Sequence, residues 1–186
     1  MEITDVTAVT VDVPLAELDE RLGIGPYVTN HGRLESMERV LVRVDTDEGI
    51  SGWGEMRVFL SPETTESVIE DGVGPMIRGQ SPFEIERLRR QVFVEYTNVD
   101  MFFAAVETAC WDIVGKTLDR PVYELLGGWT APSQGSQQHR QMVDGGSTAP
   151  TDVPVAFCLG ILPVEESRAK AREAYEAGFD ILKTKA

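Results

Sequence analysis

The sequence predicts an α+β domain, with a three-stranded antiparallel meander followed by a helical bundle, that leads into the first β-α-β unit of a parallel sheet or barrel. Three observations carry this prediction. β-branched residues alternate with polar ones near the N-terminus, helix-start signals recur in the middle of the chain, and two strand-like segments near the end flank a helical one. The 186 residues, 42% of them hydrophobic, suffice for one large or two small domains.

The first third of the chain has strand patterns. Residues 3–13 place apolar side chains near every second position. Residues 15–38 have weak periodicity and several Gly residues, so we expect a long mobile loop there. Residues 39–45 and 50–55 predict two further strands joined by a turn at 46–49, which together make an antiparallel hairpin or meander.

Helix-start signals follow these strands. Ser61-Pro62-Glu63 and Ser81-Pro82-Phe83-Glu84 each combine an N-cap residue, a proline and an acid. They predict helices that end before Gly72 and near Val94. Residues 100–118 are the most apolar helical segment and predict the central buried helix, and a short helix after Pro121 is expected to stop at Gly127 and Gly128.

The composition changes after residue 128. Residues 129–152 are rich in Gln, Ser, Gly, Thr and Pro and predict a polar linker. Within residues 153–186 a strand, a helix and a second strand imply a parallel pair. Such a pair is normally buried on both faces, so we expect it to begin a larger sheet whose remainder is missing or supplied by another chain. The expected domains are therefore 1–128 and 153–186, joined by the linker.

Charge and cysteine content restrict the function. The chain has 17 Lys+Arg against 31 Asp+Glu, a net charge of -14, which disfavours nucleic-acid or membrane-surface binding and suggests a halophilic surface. The apolar runs are far shorter than the roughly 20 residues of a membrane span, and the N-terminus lacks a signal-peptide pattern, so a cytoplasmic protein is expected. Cys110 and Cys158 have no CxxC spacing and are predicted to be small core residues.

Two lysines near the end of the chain are the main chemical candidates. Lys183 and Lys185 are separated by one residue on a predicted strand, so their side chains share a face. On a solvated edge strand they would be ordinary edge protection. On the interior face of a barrel, each would lower the pKa of the other, leaving one neutral amine as a base beside a cation that holds a substrate anion.

Other polar and aromatic residues have structural interpretations as well. Glu55 follows two glycines that allow close backbone approach, and it is either a turn carboxylate or a site residue. Asp112 is placed to pair with Lys116 one helical turn on. The size of the tryptophans predicts packing roles. They are Trp53, Trp111 and Trp129.

The order of four segments resembles the N-terminal part of the enolase superfamily, in its mandelate racemase / muconate lactonizing enzyme branch. These segments are 40–55, 104–116, 121–128 and 177–185. The resemblance implies an α+β capping domain followed by a modified TIM barrel, with the active site at the carboxyl ends of the barrel strands. The chain departs from the family at two positions of the central helix. Glu107 replaces the usual Asp, and Cys110 replaces the usual Leu.

The resemblance implies a Mg²⁺-dependent isomerase that abstracts the proton α to a carboxylate. It makes Lys185 the general base and Lys183 the cation beside it. It also assigns the loop at 15–32 and the segment after Glu55 to closure over the substrate. The candidate substrate-binding residues are Tyr27, Val28, Trp53 and Glu55. The metal ligands of the family lie on later barrel strands, so none is expected in this chain.

The resemblance leaves the reaction open. Racemisation, cycloisomerisation, epimerisation and dehydration start from the same enolate, with a mild preference for muconate-type cycloisomerisation from residues 153–157. We expect a small carboxylate substrate and a homo-oligomer. The alternative is a catalytically inactive truncated capping module or one subunit of a split enzyme, and the 186-residue chain alone is expected to be inactive.

Overall fold

The computed structural model describes residues 1–15, 27–29, 32–95, 100–127 and 155–184. The chain divides into two compact units. The first comprises Met1–Asp12 and Glu38–Trp129, and the second comprises Val13–Met37 and Thr130–Ala186. Within the described ranges, no helix is long and apolar enough to cross a membrane.

Five strands come first, a series of helices follows, and a strand, a helix and a strand lie near the end of the described chain. The strands are β1 (Ile3–Pro14), β2 (Val28–Thr29), β3 (Gly32–Arg33), β4 (Ser36–Thr46), β5 (Ser51–Arg57), β6 (Ala156–Cys158) and β7 (Ile181–Lys183). The helices are α1 (Pro62–Ser67), a π-helix (Val68–Val73), α2 (Gly74–Ile77), α3 (Ile85–Glu95), α4 (Asp100–Leu118), α5 (Val122–Leu125) and α6 (Val164–Glu176).

The predicted antiparallel sheet is confirmed. Its strand order is β1-β4-β5, and Arg43 of β4 lies opposite Trp53 of β5. The predicted loop at 15–38 is wrong for part of its length. There β2 and β3 form a small antiparallel hairpin and β4 begins at Ser36, because the Leu15 N–H donates to the Glu35 carbonyl at 2.9 Å and extends the pairing with β1. Residues 16–26 and 30–31 lie outside the described residues.

The first predicted helix starts at the expected residue but extends beyond its predicted end. Ser61 caps α1 by accepting the Thr64 N–H at 3.2 Å. The predicted end before Gly72 is wrong, since the chain continues through the π-helix into α2. Gly72 does not have the positive φ that ends a helix, and the wider π-helical turn keeps Glu70 bonded to β1 at 2.8 Å.

The two later helices differ in how well their starts were predicted. Residues 81–84 form a turn, in which Ser81 accepts the Phe83 N–H at 3.3 Å, so α3 begins only at Ile85. In contrast, α4 has the predicted bounds, and its predicted core residues are buried. These are Phe102, Ala105, Val106, Ala109, Ile113 and Val114.

Helix α4 packs directly on β5 through two glycines. A Cβ at Gly52 would overlap the Ala109 carbonyl oxygen, and one at Gly54 would overlap that of Ala105. The buried valines of β4 lie in the same core, each worth about 1.5–3 kcal/mol of burial. They are Val40, Val42 and Val44. One face of the sheet is therefore covered by helices, and the opposite face carries the exposed side chains of Arg43 and Trp53.

Charged side chains bond to backbone groups on both edges of this sheet. On β1, the Ala8 and Thr10 N–H groups donate at 2.8 Å to the carboxylates of Glu70 and Glu66. On β5, the Trp53 N–H donates at 2.9 Å to Asp112. The predicted pairing of Asp112 with Lys116 is confirmed at 2.7 Å, and Lys116 also donates to the Ser51 carbonyl. Edge backbone groups satisfied in this way are unavailable to other strands.

The second unit contains the predicted parallel pair. The pair is formed by β6 and β7, in which Ala156, Phe157 and Cys158 lie opposite Ile181, Leu182 and Lys183. Helix α6 lies between them in sequence and ends at Glu176. The predicted linker at 129–152 lies outside the described residues.

Candidate functional site

The parallel pair has one side that faces a helix and one that does not. The Lys170 Nζ of α6 lies 5.9 Å from the Phe157 ring centroid, and Phe179 packs on the same ring at 5.3 Å, so Phe157 faces α6. Because side chains alternate along a strand, Cys158 and its register partner Lys183 face the opposite way. Lys183 therefore lies on the side of the pair that corresponds to the interior of a barrel, and its side chain is exposed.

The second predicted lysine lies outside the described residues. Strand alternation gives residues 183 and 185 the same face only if β7 continues beyond Lys183. The Leu159 N–H donates to the Lys183 carbonyl at 2.9 Å, which continues the pairing toward the carboxyl ends of both strands. The catalytic roles of Lys183 and Lys185 remain predictions.

Two of the candidate substrate-binding residues lie against the carboxyl end of β6. The Val28 carbonyl accepts the Ile161 N–H at 3.1 Å. The Cys158 thiol donates to the Tyr27 hydroxyl, with Sγ and Oη 3.8 Å apart. The structure thus brings Tyr27 and Val28 to the strand end at which barrel active sites lie.

Cys158 is a residue whose position the sequence prediction missed. It is half-buried, so its assignment to the core is wrong, whereas Cys110 is fully buried as predicted. The difference has a physical cause, since Cys158 faces away from α6 and Cys110 lies inside α4 against the core. The position of Cys158 two residues before a glycine, at the end of a predicted barrel strand, was the available signal.

The other two candidates belong to the first unit and lie on the face of its sheet opposite to α4. Trp53 is 48% exposed, with the Arg43 guanidinium 5.8 Å from its ring centroid, so its predicted packing role is wrong. The cause is strand alternation, because Gly52 and Gly54 face α4 and the residue between them points outward. Glu55 is ion-paired with Arg39 at 2.9 Å.

The segment after Glu55 contains a strained turn that no sequence signal predicts. Leu60 has a φ of 63° and is 84% exposed, and the Ser61 N–H donates to the Phe59 carbonyl at 2.8 Å around it. This is the arrangement of a classic γ-turn, which is rare for a non-glycine residue. The buried Thr65 hydroxyl accepts the Phe59 N–H at 2.8 Å and lies 2.9 Å from the Ser61 carbonyl oxygen, which fixes the turn.

The described residues do not fit a magnesium site. Within the part of the chain that the structure describes, no three or more His, Cys, Asp or Glu side chains group closely enough to hold a metal ion.

Burial raises the pKa of the Cys110 thiol to about 12, so that thiol stays protonated and unreactive.

Comparisons with known proteins agree on one family. Residues 5–127 match the family model described as mandelate racemase / muconate lactonizing enzyme, N-terminal domain. The chain is 28% identical over its whole length to the N-succinyl-L-Arg/Lys racemase of Bacillus cereus. It is 30% identical, over 83% of its length, to the hydrophobic dipeptide epimerase of Enterococcus faecalis.

Solved structures of the same two proteins share the fold. The crystal structure of the Bacillus cereus racemase matches the whole chain with a TM-score of 0.77 at 26% identity. The Enterococcus faecalis dipeptide epimerase, complexed with Mg and the dipeptide L-Leu-L-Tyr, matches the whole chain with a TM-score of 0.76 at 26% identity. The chain spans 44% and 46% of these two proteins.

Proposed function

Since the chain belongs to the mandelate racemase / muconate lactonizing enzyme family, we propose that it forms the N-terminal part of an isomerase that removes the proton α to a carboxylate. The observation that carries the proposal is the orientation of β7. Lys183 faces away from α6, in register with Cys158 and on the side where a barrel keeps its reacting groups.

The substrate class that we propose is an N-acylated amino acid or a dipeptide. The names of two relatives support it, since one is a racemase of N-succinyl amino acids and the other an epimerase of dipeptides. Such compounds can carry an acylated nitrogen and a carboxylate on one α-carbon, which bears the proton to be moved. These names favour inversion at that carbon over muconate-type cycloisomerisation.

The proposed roles of the two lysines follow from their charges. Lys185 accepts the α-proton and must be neutral to do so at pH 7. A second ammonium group on the same strand face lowers the pKa of its neighbour, because two like charges at close range repel. Lys183 then remains the cation that holds the substrate carboxylate. These two roles need both lysine side chains on one face of the strand, and what supports them is that Lys183 faces away from α6.

A magnesium requirement is proposed for the whole protein only. The described residues supply no ligand set, so no step of the reaction is assigned to the metal. We also propose a homo-oligomer and a cytoplasmic location. The net charge of -14 supports a surface suited to high salt, as in halophilic proteins.

The experiment for this proposal is α-proton exchange in D₂O. The intact protein, as its source organism produces it, is incubated with Mg²⁺ and a panel of N-succinyl amino acids and dipeptides, and the α-proton signal is followed by NMR. We expect the signal to disappear and the opposite stereoisomer to accumulate, and we expect EDTA to stop both changes. Absence of exchange across the panel would contradict the substrate class, and absence with other α-proton carboxylates would contradict the isomerase.

A second candidate is an inactive capping module or one subunit of a split enzyme. The exposed apolar side chains of the second unit, which include Val155, Ile181 and Leu182, are compatible with both candidates, because a further strand of the same chain or of a second subunit would bury them. The intact mass of the natural protein separates the candidates. A mass of 20.5 kDa favours this second candidate, and a mass near twice that favours the single-chain isomerase.

A further inference from the structure

A single glycine lets the Tyr27–Val28 segment contact the loop after β6. A Cβ at Gly160 would overlap the Val28 carbonyl oxygen and lie 3.4 Å from the Val28 carbonyl carbon and 3.5 Å from its nitrogen. The next residue, Ile161, donates its N–H to that same carbonyl at 3.1 Å. Any larger residue at 160 would therefore displace the acceptor of this hydrogen bond.

Gly160 is also required by its own backbone. Its φ of +80° lies in the left-handed region, which residues with a Cβ rarely adopt. A second glycine of the same unit, Gly178, has a φ of +96°, but nothing lies within 4 Å of the Cβ it would carry. The two positions therefore share the backbone requirement and differ in the close contact with Val28.

The contact at Val28 sets the position of its neighbour. Tyr27 immediately precedes Val28, and its hydroxyl accepts from the Cys158 thiol at 3.8 Å. Cys158 is only half-buried and lies on the same strand face as Lys183. A shift of Val28 would therefore move Tyr27 away from Cys158 and open the carboxyl end of β6.

We propose that Gly160 is a positioning residue that latches the Tyr27–Val28 segment onto the carboxyl end of β6 and so controls access to the face that carries Cys158 and Lys183. The latch itself depends only on the contacts around Val28. The functional consequence of the latch, closure of one side of a substrate site, rests on the proposed function. Neither Gly160 nor Cys158 is given a role in proton transfer.

The reactivity of Cys158 with a thiol reagent reports on the latch without any substrate. The intact protein is treated with a maleimide, and the labelling of each cysteine is followed by peptide mass spectrometry. Cys110 is the internal control, because it is fully buried and burial raises its pKa to about 12. Cys110 belongs to the first unit and reports on unfolding of that unit, whereas the Gly178→Ala variant below reports on a loss of stability in the second unit, which holds Cys158.

The matched variants are Gly160→Ala and Gly178→Ala. We expect Gly160→Ala to raise the labelling rate of Cys158 about tenfold through local opening, with Cys110 still protected. Gly178→Ala introduces the same backbone strain without a contact to Val28, and we expect it to change the labelling rate of Cys158 by less than about twofold. An unchanged rate in Gly160→Ala, or an equal rise in both variants, would overturn the proposal.

A third variant covers the case in which Gly160→Ala does not fold. Tyr27→Ala leaves the backbone contact in place and removes the side chain over Cys158, so we expect a similar rise of about tenfold in Cys158 labelling. No change in Tyr27→Ala overturns the latch. Failure of the latch is distinguishable from failure of the isomerase, since the first is read from labelling and the second from α-proton exchange in the unsubstituted protein.

Discussion

Cys158 and Lys183 lie directly opposite each other in the parallel pair of β6 and β7, and both side chains face away from α6. The opposite face carries Phe157, which contacts Lys170 of the helix. A barrel strand has this same division between a helix-covered side and an inner side. The structure therefore places Lys183 on the side of the pair that corresponds to the inner side of a barrel.

The close packing of α4 on β5 predicts a large cost for adding a single methyl group. In Gly52→Ala or Gly54→Ala, the new Cβ would overlap a backbone carbonyl oxygen of α4, which cannot move without shifting the helix. We expect each variant to lose at least about 3 kcal/mol of the free energy of unfolding in urea titrations. Gly72→Ala is the matched control, because nothing lies within 4 Å of its Cβ. An equal loss in Gly72→Ala would contradict the packing argument.

The carboxylate on the β1 edge predicts both a stability change and a change in association. Glu70→Ala removes the acceptor of the Ala8 N–H, and an unpaired backbone donor costs about 1–3 kcal/mol. It also frees one backbone donor of the β1 edge while Glu66 still holds Thr10, so we expect weak association, seen as some dimer or larger species by size-exclusion chromatography. The exposed Glu86 of α3 provides the control, and Glu86→Ala should remain monodisperse with unchanged stability. A stable, unassociated Glu70→Ala variant would show that the edge is closed by other means.

The buried hydroxyl of Thr65 predicts a cost for an isosteric change. Thr65→Val keeps the shape of the side chain but leaves the Phe59 N–H without its 2.8 Å acceptor next to the strained Leu60. We expect a loss of about 1–3 kcal/mol in chemical unfolding. Thr108→Val, in which an exposed hydroxyl bonded to Ala104 is removed, should cost less than about 0.5 kcal/mol. Equal costs would mean that the hydroxyl does not fix the turn.

The start of α1 predicts a pH-dependent contribution from Glu63. Its own backbone N–H at the helix N-terminus, helped by the Ser61 hydroxyl, lowers the pKa of its carboxyl. A lowered pKa in the folded state gives stability that is present above the ordinary value of 4.5 and lost as the pH falls through the folded pKa. We expect the melting temperature of Glu63→Gln to be lower than that of the unsubstituted protein at pH 7 and equal to it at about pH 2. A melting difference that persists at the acidic end would contradict this.

Local sequence patterns correctly predicted the elements in which apolar residues at regular spacing are also the buried ones. The apolar residues of α4 repeat at helical spacing and are buried, so the predicted helix has the observed bounds. The alternation along β4 and β5 likewise gave the correct antiparallel pairing. The pairing of Asp112 with Lys116 followed from helical spacing alone. In each case the interaction is local or repeats along one element.

Features that depend on distant partners were not predictable in this way. The π-helix and the helix before it carry glutamates that bond to β1, more than 50 residues away in sequence, and helix-end rules do not register such partners. The outward position of Trp53 depends on α4 covering the glycines beside it. The contact of Tyr27 with Cys158 joins residues 131 positions apart. Of the candidate site, the sequence predicted the residue types, and the contacts among them required the structure.

The most direct measurement of the proposed chemistry is α-proton exchange in D₂O by lysine variants of the intact protein. We expect Lys185→Ala to lower the exchange rate by a factor of about 10²–10⁴, the usual contribution of a general base. Lys183→Ala should lower it as well and raise the pH at which exchange sets in, because the remaining amine loses the cation that depresses its pKa. Thr184→Ser, between the two lysines in sequence, should exchange at the unsubstituted rate with an unchanged circular dichroism spectrum. Unaltered exchange in a folded Lys185→Ala variant would contradict the assignment of the base and with it the proposed reaction.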